Sequence, residues 1–98
     1  MPKFSRPQKF TKANIEKVAE NKAIVYKLKN TAGDNLYTGI AGRGRGQDRL
    51  LEHKELKREA VPGATRFQIA QVKNKDRAKQ IEKQIIKEDQ PKFNEQHK

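Results

Sequence analysis

Between a short apolar run and a charged, helix-patterned stretch lies LYTGIAGRGRGQDR, residues 36–49, in which glycine alternates with arginine. Gly42, Gly44 and Gly46 loosen the backbone while Arg43 and Arg45 supply charge, a pairing that suits a phosphate group. A bound nucleotide is not the phosphate in question. A Walker loop needs a Lys-Ser or Lys-Thr pair to reach the phosphates and magnesium, and none follows these glycines. The dinucleotide fingerprint needs G-x-G-x-x-G inside a parallel βαβ unit, whereas here glycine recurs at every second position after a hairpin. What remains is a basic loop that tracks a phosphate backbone through Arg43 and Arg45, or else a solvated turn. Just downstream, Arg49 and His53 stand four apart, so a helix presents both on one face, towards the hairpin. The chain has no cysteine and two histidines, which excludes disulfides, thiol nucleophiles and Cys/His zinc sites.

The elements that must hold these residues follow from apolar spacing and turn chemistry. Residues 1–10 read as a basic tail interrupted by Pro2 and Pro7, and residues 11–98 as a single domain. TKANIEKVAENK (11–22) predicts a short helix capped by Thr11 or Asn14, with Ile15 and Val18 on its apolar face. AIVYKLK (23–29) is β-branched and aromatic, and NTAGDN then turns the chain into LYTGI (36–40), giving a hairpin. QDRLLEHKELKRE (47–59) is the second helix, with Asp48 at its N-terminus and Leu50, Leu51 and Leu56 as its apolar side. After the break at VPGAT, RFQIAQV (66–72) alternates as a third strand. Asn74 caps KDRAKQIEKQIIKE, whose Ala78, Ile81 and Ile85 form one stripe, and Pro91 ends it. The order implies a small α/β sandwich with a three-stranded, mostly antiparallel sheet.

Composition narrows the partner. Hydrophobic residues make up 33% of the 98 and charged residues 36%, so the core is small and the surface densely charged. The net charge of +11 is spread along the whole chain, which favours a polyanion touched over a broad surface, nucleic acid above all. No stretch reaches the length of a membrane span. The basic N-terminus lacks the apolar centre of a signal peptide, so a reducing, cytoplasmic setting is expected.

Four short motifs then occur in a fixed order: IVY (24–26), YTG (37–39), DRLLEH (48–53) and IEKQIIKEDQPKFN (81–94). This set resembles the GIY-YIG nuclease superfamily, the catalytic module of some homing endonucleases and of bacterial nucleotide-excision repair, over roughly residues 22–94. The resemblance implies a site built from Tyr26, Tyr37, Arg49, His53, Glu82 and Asn94, with Glu82 as the metal ligand. Ile24 stands where the family has glycine and Thr38 where it has isoleucine. Ile40 stands where some relatives have lysine, a charge that Arg43 or Arg45 can replace.

The chemistry implied is hydrolysis of a DNA phosphodiester with one Mg²⁺ or Mn²⁺ ion on Glu82, a single carboxylate sufficing because substrate and water fill the remaining octahedral positions. Arg49 offers a planar, permanently charged fork to the phosphate. Tyr26 activates water provided that a cation stabilises its phenolate, Tyr37 orders the site and His53 assists proton transfer. Arg43, Arg45, Lys54 and Arg58 contact the nucleic acid backbone. The competing expectation is a noncatalytic module that keeps the fold and binds DNA, or less readily RNA.

Overall fold

The computed structural model describes residues 3–56 and 60–94. In chain order the elements are β1 (Gln8–Lys9), α1 (Lys12–Ile15), β2 (Ala23–Lys29), β3 (Asn35–Ala41), α2 (Gly46–Glu55), β4 (Arg66–Val72) and α3 (Lys75–Asp89). They form an α/β sandwich around one antiparallel sheet of strand order β1-β4-β2-β3. The sheet therefore has four strands, where three are expected from the sequence. The extra strand comes from the segment read as a tail. Gln8 and Lys9 pair with Phe67 and Arg66, and the Ser5 amide donates to the Ile69 carbonyl at 2.8 Å. Phe10 anchors this segment by packing its ring 5.9 Å from that of Phe67, an apolar grip that lies just beyond the two prolines.

β2 lies inside the sheet and is covered on both faces, which is why residues 23–26 form a continuous apolar run; only beyond it do Lys27 and Lys29 alternate with the buried Leu28. Ile24, Tyr26 and Leu28 join Phe10, Ile15, Val18, Leu50 and Phe67 in one layer; Ala23 and Val25 join Val72, Ala78, Ile81 and Ile85 of α3 in the other. Each buried Val, Leu, Ile or Phe side chain among them contributes about 1.5–3 kcal/mol. An exposed pair such as Arg45–Asp48, 3.6 Å apart, contributes about 0–1 kcal/mol. The two apolar layers, not the dense surface charge, hold the fold.

Local signals set the element ends. Thr11 caps α1 by accepting from the Asn14 amide at 3.3 Å, and Asn74 caps α3 by accepting from the Arg77 amide at 2.9 Å. α1 is one turn long, not the three turns expected of residues 11–22, because only Ile15 and Val18 tie it to the core and a lone short helix is unstable in water. α2 ends at Glu55, and residues 57–59 of the expected helix lie outside the described residues. α3 stops at Gln90, whose φ of 48° is left-handed, directly before Pro91. Among the described residues, no helix is long and apolar enough to cross a membrane.

Candidate active site

The β2–β3 register sets Tyr26 opposite Gly39. Tyr26 lies across that glycine so closely that a Cβ there would occupy the space of the phenol ring and its oxygen. The glycine of YTG therefore makes room for the tyrosine of IVY. Beyond the glycine, the Tyr26 hydroxyl meets Nε2 of His53 at 2.8 Å, both groups being buried. Tyr37 closes the cluster, with ring centroids 4.8 Å from His53 and 6.3 Å from Tyr26. α2 brings His53 here because Leu50, one turn earlier, is fully buried and fixes the helix rotation.

Arg49 also lies on this face of α2. Its Nη1 donates to Glu52 Oε1 at 2.6 Å, a pair about one-third exposed. Glu52 has no place in the sequence expectations; its only sequence signal is an i,i+3 spacing from Arg49, shared by many solvated helix pairs.

The electrostatics divide the roles. Burial pushes the Tyr26 phenol well above the ordinary tyrosine range, and the neighbouring Tyr37 and Glu82 push it further; the positive charge of Arg49 and its hydrogen bond work against this. At neutral pH Tyr26 is therefore a phenol, not a standing phenolate. Burial opposes the charge of Arg49, yet Tyr26, Glu52 and Tyr37 together hold its pKa above the usual value. Burial also raises the proton affinity of Glu82, and only Lys79 offsets it.

Glu82 comes from α3, and its charge bears on the Tyr26 phenol. It is half-buried, and among the described residues no hydrogen bond or ion pair occupies its carboxylate. A shielded carboxylate without a donor fits a divalent cation. No group of three His, Cys, Asp or Glu gathers among the described residues, so an ion on Glu82 would take its other ligands from water and substrate.

Asn94 is spent differently. Its Oδ1 accepts from the Thr38 amide and its Nδ2 donates to the Thr38 carbonyl, both at 2.8 Å, while the Phe93 amide donates to the Leu36 carbonyl. The C-terminal segment thus pairs with the open edge of β3 at the YTG motif and fixes Tyr37 and Gly39 on either side of Thr38.

The basic loop is a tight turn closed by the Arg45 amide on the Gly42 carbonyl at 3.0 Å, with Gly44 at a left-handed φ of 81°. Arg43 is exposed and Arg45 pairs with Asp48. Gly46 answers the isoleucine of the first motif: a Cβ there would stand 2.9 Å from Ile24 Cδ1, so the two positions exchange bulk. Lys54 holds its ammonium 5.5 Å from the centroid of the Phe10 ring, and Arg58 lies outside the described residues.

Solved structures resemble this arrangement. The crystal structure of the GIY-YIG N-terminal endonuclease domain of UvrC from Thermotoga maritima, bound to its catalytic divalent cation, magnesium, matches with a TM-score of 0.69 at 30% identity, covering 86% of this chain and 99% of that one. A Tyr-to-Phe point mutant of the same domain, bound to its catalytic divalent cation, matches at 0.69 and 28% identity over 86% and 99% of the two chains. An Asn-to-Ala point mutant matches at 0.68 and 29% over 85% and 97%. No protein-family model matches the chain, and no curated protein does.

Proposed function

The chain belongs to the GIY-YIG superfamily, and from that premise and the site's geometry we propose that it is a divalent-metal-dependent endonuclease that hydrolyses phosphodiester bonds in DNA. The observation that carries the reading is the buried Tyr26–His53 hydrogen bond at 2.8 Å, set beside Arg49 and under the influence of the Glu82 carboxylate, which has no partner among the described residues.

In this reading Arg49 receives a phosphate oxygen, exchanging its bond to Glu52 for a bidentate contact that the planar fork suits. Tyr26 has no exposed surface and has Arg49 as a neighbour, so in this mechanism the phenol has to meet water when the guanidinium turns to the phosphate. Tyr26 then works as a relay. The attacking water gives a proton to the phenol oxygen as the phenol gives its own to His53 Nε2, the water oxygen bonds to phosphorus, the bond to the leaving oxygen breaks, and that oxygen takes a proton from solvent. The relay suits a tyrosine that binds its proton tightly, since no phenolate has to accumulate. Tyr37 holds the imidazole from its other side, and Asn94 is a positioning residue that acts through β3. Glu82 would hold one Mg²⁺ or Mn²⁺ ion, which supplies positive charge to the phosphate and the departing oxygen.

The test is incubation of the purified chain with plasmid, flapped, branched and single-stranded DNA, with Mg²⁺, Mn²⁺ or chelator. Metal-dependent cleavage of at least one substrate, abolished by Arg49→Ala, is expected. Binding of every substrate without cleavage of any would favour the noncatalytic module.

A further inference from the structure

α3 carries a second stripe beside the one it buries. Ala78, Ile81 and Ile85 enter the core. Lys75, Lys79 and Glu82 follow one another at intervals of four and three residues, which stacks them along a single face of the helix. The stripe thus runs lysine, lysine, carboxylate from the first turn of α3 to its middle. One contact and one charge tie it to the site. The aliphatic stem of Lys75 lies against the turn that bears Arg43, where a Cβ on Gly42 would be 4.0 Å from Lys75 Cδ. Lys79 is the cation whose charge acts on Glu82. Among the described residues neither lysine has a carboxylate partner, so both ammonium groups are open to an external anion.

We propose that Lys75 and Lys79 are the docking groups for the DNA phosphates next to the bond presented to Glu82, so that the strand runs from the Gly42–Arg45 turn along α3. The inference rests on the nuclease reading for its end point at Glu82. A lone carboxylate repels a phosphate strand, and two lysines spaced one helical turn apart on the same stripe hold the strand against that repulsion. Lys75 and Lys79 stand about one helical turn apart, with ~6 Å between their Cβ atoms, so the stripe offers two charges in line to a strand laid along it.

The experiment measures duplex DNA affinity in chelator against salt concentration for wild type, Lys75→Ala/Lys79→Ala, and Lys12→Ala/Lys17→Ala. The last pair makes the same charge change at exposed positions in and just after α1, which packs in the other apolar layer from α3. Each phosphate left without its lysine lowers the log–log salt slope by about 0.9, so the first double variant should fall by about 1.8 and the control by less than about 0.5. Lys75→Arg/Lys79→Arg should restore the slope. An unchanged slope in Lys75→Ala/Lys79→Ala, or an equal fall in the control, overturns the proposal. Because binding is read without metal, a fall in slope for a chain that cleaves nothing would leave the track standing and remove the nuclease reading, and the converse result would do the opposite.

Discussion

Tyr26 keeps its proton because burial disfavours the phenolate, so in the proposed mechanism a group expected to act as a base passes a proton on instead. Tyr26→Phe should therefore lower single-turnover cleavage by about 10²–10⁴-fold with DNA affinity unchanged. It should also cost about 1–3 kcal/mol in stability, because His53 Nε2 loses its partner in a buried place. Parallel denaturation and quenched-flow measurements read both effects, and a variant that cleaves at the wild-type rate would remove Tyr26 from the relay. Glu82 gives the residue scale a second prediction. Folding raises the pKa of its carboxyl, so the fold favours the protonated acid; that contribution is present below the unfolded pKa and is lost as pH rises through the folded one. At neutral pH the charge thus works against the fold. Glu82→Gln should melt no lower than wild type at pH 7 without metal, and the difference should shrink as the pH falls into the carboxylate range.

At the scale of elements, β3 is the part most exposed to error, as an edge strand whose inner neighbour carries Tyr26. Gly39→Ala sets a methyl where the Tyr26 phenol lies, so we expect a loss of about 1–3 kcal/mol from overpacking together with loss of cleavage, checked by melting and by activity. Asn94→Ala leaves two Thr38 backbone groups unpaired at that edge and should cost a similar amount, lowering cleavage more than DNA affinity, as checked by parallel melting, binding and single-turnover assays. These elements are unevenly legible in the sequence. β2, β3, β4 and α3 announce themselves through β-branched runs and a clean apolar stripe ended by Gln90 and Pro91. β1 does not, because two residues of pairing have no periodicity and what recruits them is the distant contact between Phe10 and Phe67. α1 reads longer than it is, since among residues 11–22 only Ile15 and Val18 are buried in the core and helical propensity alone does not hold a short helix in water.

For the whole molecule, the +11 charge predicts binding dominated by phosphates: affinity should fall by about 10³-fold or more between about 50 and 200 mM salt if six phosphates are neutralised, and should vary little with sequence. Arg43→Ala/Arg45→Ala should weaken binding more than turnover of bound DNA, because the turn that carries them is exposed and Arg45 already faces Asp48. The order of short motifs picks out residues that the fold gathers around Tyr26, yet the physical logic of that cluster is not legible in the sequence. The exchange of bulk between Ile24 and Gly46, the bond of Arg49 to Glu52 and the full burial of Tyr26 all depend on which face each strand turns to which helix. In the proposed mechanism the metal rests on the single carboxylate of Glu82, and the most direct measurement is single-turnover DNA cleavage titrated with Mg²⁺ for wild type and Glu82→Gln. Wild type should show saturable, metal-dependent cleavage, and the variant none at any Mg²⁺ concentration while folding and binding DNA equally well. Cleavage by Glu82→Gln with an unchanged metal dependence would contradict it.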